Sequence, residues 1–198
     1  MDLTRLESAE IVLRTASPSA WLQAVQADFD GFLLDHASAE RKASAMAVSF
    51  VVQYPDRYAL HQPMIRIARE ELLHYQQVMR LIQQRGLLWQ RDEKDPYIAA
   101  LLARLRTDRE GRLLDRLIVG GLVEARGVER FGLVATLHKG PLARFYQRLS
   151  TSEQGHATTF LTLAHHYFSE SEIADRLDAW LDWEATAVLD LPIRAALH

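Results

Sequence analysis

Arg69-Glu70-Glu71-Leu72-Leu73-His74-Tyr75 and Ser152-Glu153-Gln154-Gly155-His156 decide the reading of this chain, because each contains a Glu and a His three residues apart. Residues at that interval share one face of a helix, so Glu71 with His74, and Glu153 with His156, can each aim a carboxylate and an imidazole at one point. The periodicity around them identifies the face. Met64, Ile67, Glu71, His74, Val78 and Leu81 recur in steps of three and four, as do Leu142, Phe145, Leu149, Glu153, His156, Phe160, Leu163 and Tyr167. In both stripes the polar pair stands where core residues are expected.

A further Glu precedes each pair at a similar interval: Glu40 lies 31 residues before Glu71, and Glu124 lies 29 before Glu153. Glu40 belongs to a small-residue face with Ala37, Ala43, Ala47 and Val51. Glu124 shares a face with Leu113, Leu117, Gly120, Gly127 and Phe131. The order Glu, ExxH, Glu, ExxH matches four-helix bundles that hold two metal ions, in which two helices give one Glu each and two give an ExxH each. Four buried carboxylates need cations to offset their charge. Two divalent ions carry that charge, and the mixed oxygen and nitrogen set suits iron or manganese, with zinc also able to occupy it. A plain helical bundle with satisfied core polar groups is the competing reading. The fold class expected is all-α, a ferritin-like four-helix bundle with additional short helices, as one domain over residues 1–198.

The boundaries follow from punctuation. Ser17 and Pro18 open a short helix with Trp21 and Val25. The Glu40 helix is expected over 35–53, the next from 61–63 to a left-handed cap at Gly86, and a short one from Asp95 and Pro96 to about residue 105. The long interval between Glu71 and Glu124 leaves room for the crossover of ferritin-like bundles. Later helices are expected over 111–137, 141–168 and 172–189. His36, one turn before Glu40, could approach the site but reads first as a polar group at a helix start, Glu70 reads as solvated, and Glu129 as a surface or supporting group. Gly120 and Gly121 cost about 1 kcal/mol each inside a helix, which close packing, or room for small molecules, would explain.

Composition narrows the class. With 198 residues, 48% hydrophobic and 25% charged, the chain can bury one sizeable core. No cysteine is present, which removes thiolate metal sites, iron-sulfur clusters and disulfides. No apolar run approaches a membrane span, and the segment from Met1 to Glu7 lacks the basic and apolar regions of a leader; a cytoplasmic location without membrane contact is the expectation. The net charge is −3, yet residues 101–148 hold ten Lys or Arg against five Asp or Glu. Arg104, Arg106, Arg109, Arg112 and Arg116 form the densest cluster. It reads either as a solvated helix face or as a phosphate-binding patch for a polyanion.

At these same residues the chain resembles the tRNA hydroxylase family that acts on 2-methylthio-isopentenyl adenosine. The resemblance is carried by Leu34-Asp35-His36-Ala37-Ser38-Ala39-Glu40-Arg41-Lys42-Ala43, by the block from Arg69 to Tyr75, by Gly120-Gly121-Leu122-Val123-Glu124-Ala125-Arg126, and by the block from Ser152 to His156. It implies a non-haem di-iron monooxygenase that hydroxylates the isopentenyl side chain with dioxygen. Glu40, Glu71, His74, Glu124, Glu153 and His156 take the iron-ligand role by position. It also implies a tRNA substrate and an external reductase or electron carrier, since the chain holds no flavin, haem or iron-sulfur motif. Arg41, Lys42 and Arg126 offer a second place for tRNA contacts. Other ferritin-like oxidoreductases (a manganese catalase, a peroxidase, a small-molecule oxygenase) and an iron-sequestering protein are the alternatives.

Overall fold

The structure is a computed structural model that describes residues 11–89 and 91–198. The leader-region reading of residues 1–7 falls outside them. Among the described residues there are seven helices and no strand: α1 Ser19–Ala27, α2 Phe29–Gln53, α3 Tyr58–Gln84, α4 Pro96–Leu102, α5 Arg109–Thr136, α6 Gly140–Tyr167 and α7 Glu170–Asp190. They fall into two compact units. One comprises Ser19–Lys94 and Ile193–His198; the other comprises Asp95–Pro192 and the segment ahead of Ser19.

Short polar caps explain most helix starts. The Asp28 carboxylate accepts from Gly31 N at 2.9 Å, Asp95 from Ile98 N at 3.0 Å, and Asp108 from Gly111 N at 2.7 Å. Each satisfies an otherwise orphaned N–H of a first turn. Asp28 starts α2 six residues ahead of the expected boundary, so His36 sits inside the helix rather than at its start. Ser169 and Glu172 form a reciprocal capping box that starts α7 at Glu170. The α3 helix ends as expected at Gly86, whose φ of 68° lets Leu87 N reach back to Ile82 O at 3.1 Å. The short helix α4 stops at Leu102, and an irregular stretch carries the chain to Asp108.

The first unit is a helical hairpin. Residues 54–57 join α2 to α3, and such a short link keeps successive helices side by side. Phe32, Leu33, Phe50, Leu60, Met64, Val78 and Ile82 are fully buried in its core. Burying side chains of that size contributes about 1.5–3 kcal/mol each. The C-terminal segment closes over this unit, with Trp21 Nε1 donating to Ala196 O at 2.8 Å and Leu197 N to Asp35 at 2.7 Å.

The second unit repeats the plan with α5 and α6, joined by residues 137–139, around Leu113, Leu117, Leu122, Val134, Tyr146 and Phe160. The α7 helix lies against α5, as its amphipathic pattern indicates. It is fixed there by charge as well as by apolar contact. Arg126 Nε and Nη2 donate to the Glu184 carboxylate at 2.8 and 3.0 Å, Tyr97 Oη donates to it at 3.0 Å, and Arg126 and Glu184 are fully buried. Gly120 and Gly121 serve packing: a Cβ on Gly120 would lie 2.7 Å from Phe160 Cε1, and one on Gly121 2.7 Å from Ile11 Cδ1.

Candidate metal centre

Each unit gathers three of the six expected ligands. In the first, α2 supplies Glu40 and α3 supplies Glu71 and His74. One ligand atom from each lies within 4.8 Å of the others, and the three residues are 3%, 1% and 9% exposed. His74 Nδ1 stands 3.5 Å from Glu40 Oε2 and 3.6 Å from Glu71 Oε2. In the second unit, α5 supplies Glu124 while α6 supplies Glu153 and His156. They meet the same 4.8 Å criterion and are also buried, with His156 Nδ1 3.0 Å from Glu153 Oε2.

The two halves are clasped alike. In the first, Ser44 Oγ, one turn after Glu40, donates to Ala68 O at 2.8 Å, one turn before Glu71. In the second, Ser150 Oγ, one turn before Glu153, donates to Val128 O at 2.9 Å, one turn after Glu124. Relative to the ligands the helix contact is the same, with donor and acceptor helices exchanged. A hydroxyl bonded to a neighbouring helix backbone fixes the separation of two helices more tightly than apolar contact alone. Both clasps hold the Glu-bearing helix at a set height against its ExxH-bearing partner.

His36 supports the site rather than the start of a helix, the second of its two sequence readings and not the first. It is fully buried, one turn before Glu40, and its Nε2 lies 2.7 Å from Glu40 Oε1. The four-residue spacing on one helix face is what allows the contact. Burial pushes the Glu40 carboxyl upward, but bonding to Glu71, His36 and His74 outweighs it and holds the group at about 2. Two carboxyls bonded to each other share a proton or a cation. Glu40, Glu71 and His74 would together hold a divalent cation in place of that proton. The donor chemistry of each half therefore fits a transition metal such as iron, with hard oxygen donors and borderline nitrogen.

The remaining site candidates separate by environment. Arg106 turns inward: its Nη2 reaches Asp115 Oδ1 at 2.9 Å and its backbone N reaches Oδ2 at 2.8 Å. Arg104 lies over the Trp183 ring, 5.3 Å from its centroid. Arg109 and Arg112 are exposed, and Arg116 is half-buried. Arg126 is no surface group at all, and Arg41 is held by both oxygens of Asp92 at 2.8 Å. Of the second group of candidate tRNA contacts, Arg126 is thus excluded by burial. Glu129, expected at the surface or in support of the site, ties the segment ahead of α1 to α5, accepting from Ser17 N at 2.6 Å and from Arg126 Nη1 at 2.5 Å.

Comparison with known proteins agrees with this chemistry. Residues 4–198 match the family described as tRNA-(MS[2]IO[6]A)-hydroxylase (MiaE). A relative from Pseudomonas putida named tRNA 2-(methylsulfanyl)-N(6)-isopentenyladenosine(37) hydroxylase is 36% identical over 172 residues, which is 87% of this chain and 84% of the relative. A protein of the same name from Salmonella typhimurium is 32% identical over 126 residues, 64% of this chain and 46% of that one. Among solved structures, a Synechococcus protein with aldehyde deformylating oxygenase activity is similar at a TM-score of 0.89 and 31% identity, over 94% of both chains. The all-α, ferritin-like reading of the fold stands on that likeness. The chain belongs to the MiaE hydroxylase family.

Proposed function

We propose that this member of the hydroxylase family adds one oxygen atom to the isopentenyl side chain of 2-(methylsulfanyl)-isopentenyladenosine in tRNA, using dioxygen and two iron ions. Membership of the family makes the chain an enzyme rather than an iron store. The observation that carries the metal assignment is the pair of buried three-ligand groups, Glu40, Glu71 and His74 in one unit and Glu124, Glu153 and His156 in the other. Three ligands from each, completing one centre in a single domain over residues 1–198, is the reading that the ExxH order supports.

Iron held there would supply the electrons that activate dioxygen. The protein's own contribution is positional and electrostatic: apolar walls exclude bulk water, four carboxylates match the charge of two divalent ions, and His36 holds Glu40 in place through its hydrogen bond. Incorporating one oxygen atom and reducing the other to water takes two further electrons and two protons. An external reductase or electron carrier is therefore part of the proposal, and a cytoplasmic site of action goes with a tRNA substrate. No helix among the described residues is long and apolar enough to cross a membrane. Exposed Arg104, Arg109 and Arg112, with half-buried Arg116, are proposed phosphate contacts, while Arg106 of that cluster is bonded to Asp115.

The likeness to the Synechococcus protein favours a second reading, an aldehyde deformylating oxygenase activity. Nucleoside analysis of tRNA from cells with and without the gene separates the two. The hydroxylated nucleoside should disappear on deletion, return with the wild-type gene, and carry label from oxygen gas rather than from water. Unchanged hydroxylated nucleoside in a deletion strain with no second hydroxylase would overturn the tRNA assignment.

A further inference from the structure

The α3 helix turns Glu71 and His74 inward, and its opposite face carries a pattern that ligand binding does not use. Gln62, Arg66, Arg69, Leu73, Gln76, Arg80 and Gln84 recur in steps of three and four, and all are exposed. No carboxylate lies on that face, since the only acids of α3 are the buried Glu71 and the half-buried Glu70. Arg66, Arg69 and Arg80 pair with no carboxylate of the described residues. Elsewhere in this unit several arginines are paired: Arg41 with Asp92, Arg85 with Asp30 at 2.6 Å, and Arg194 with Glu93 at 2.9 Å. At about 1.5 Å rise per residue, Arg66 to Arg80 span about 21 Å. A chain with a net charge of −3 thus keeps one acid-free basic track along the helix that holds two of its metal ligands.

A second observation lies beside that track. Trp89 is half exposed, with its ring centroid 6.2 Å from that of Tyr75 on α3. It borders a recess of about 660 Å3 that Leu34, Arg41, Leu88 and Arg91 also line. The acids around this recess are already engaged: Asp28 caps α2, Asp30 holds Arg85, Asp35 takes Leu197 N, Asp92 holds Arg41 and Glu93 holds Arg194. Leu88, Trp89 and Arg91 are exposed there, beside the exposed but paired carboxylates of Asp30 and Glu93. A basic track with an adjoining aromatic platform is how proteins hold unpaired RNA, by phosphate contacts along the track and base stacking at the ring.

We propose that the outer face of α3 with Trp89 is an RNA-docking surface of this chain, in addition to the arginines around the start of α5. Arg66, Arg69 and Arg80 contact phosphates, and Trp89 stacks an unpaired base of the tRNA. The inference rests on the tRNA reading above and adds to it a further surface that reads the polyanion. Arg69 lies half a turn before Glu71, so RNA held there sits at the height of the metal ligands along the helix axis.

The test is tRNA binding by the full-length, metal-loaded protein over a salt series. The variant Arg66→Gln/Arg69→Gln/Arg80→Gln should bind about 10-fold or more weakly at low salt and lose about 2 from the slope of log affinity against log salt. Trp89→Ala should weaken binding about 10-fold with the slope unchanged, because stacking releases no counterions. Leu73→Glu, which places a carboxylate inside the track, should weaken binding while keeping every arginine. Metal content and helicity should match wild type in all three, since the substituted groups are exposed. Arg109→Gln/Arg112→Gln serves as the comparison. If the wild type binds tRNA and the three α3 and Trp89 variants bind as it does, the surface is merely solvated and the inference fails alone. If the wild type neither binds nor hydroxylates tRNA, the functional reading itself fails.

Discussion

Asp115 shows how one buried charge is stabilised. It is fully buried, and burial works against its ionisation, yet bonds from Arg176, Arg106 and Trp180 Nε1 bring its carboxyl down to about 2. An unfolded Asp titrates near 3.9. A folded value below the unfolded one contributes stability above about pH 4 that is lost as pH falls towards 2. Asp115→Asn should therefore cost about 2 kcal/mol at neutral pH, less than a wholly buried pair because Arg106 is partly exposed. The gap between wild type and variant in urea melts should close across that acid window; a gap independent of pH would count against the charge argument. Two glycines make an opposite pair. Gly155, with open space around its absent Cβ, should gain about 1 kcal/mol on substitution by Ala. Gly120→Ala should instead lose about 1–3 kcal/mol, because Phe160 must move within a packed core. Thermal melts that rise for Gly120→Ala would show that the ring yields easily.

Between elements, the attachment of α7 to α5 rests on a buried ion pair set among apolar contacts. Arg126 and Glu184 are both fully enclosed, so removing either one leaves an uncompensated charge. Glu184→Leu should cost about 3–5 kcal/mol, whereas Arg126→Met/Glu184→Leu together should recover much of that loss. A double variant as unstable as the single one would mean that packing rather than charge fixes α7. The neighbouring Arg130, brought down to about 10 by burial, shows how dry this region is. The serine clasps belong to the same scale. Ser44→Ala and Ser150→Ala should each cost about 1 kcal/mol of stability and weaken iron binding, measured by competition with a chelator, because each lets a Glu-bearing helix slide against its partner.

At the level of the whole molecule, metal and fold are linked. A ligand bound only by the folded chain stabilises it in proportion to the logarithm of its concentration over its dissociation constant. Wild type should melt at a lower temperature after chelation, with two iron ions recovered per chain. Glu71→Ala and Glu153→Ala, each striking a different unit, should both lose iron, abolish turnover and become insensitive to chelator while retaining most helical signal. Retention of a full complement of two ions by either variant would break the six-ligand proposal.

The helices, and the gathering of Glu40, Glu71 and His74 and of Glu124, Glu153 and His156, were legible in the sequence because both depend on local geometry. A three-residue interval puts a Glu and a His on one face whatever surrounds them, and an apolar step of three and four marks that face as inward. Caps were harder to place: Asp28 and Ser169 draw α2 and α7 past the boundaries that periodicity suggests, since one side-chain bond to an N–H competes with the apolar pattern. What depended on distant partners could not be read from spacing. Arg106 and Arg112 look alike in sequence, yet one is turned inward by Asp115 and the other stays at the surface. Arg126 looked available to a phosphate until Glu184, 58 residues away, enclosed it. Charge is a property of the residue, but its availability depends on which counterion the folded chain brings within 3 Å, and that was decided only by the tertiary structure.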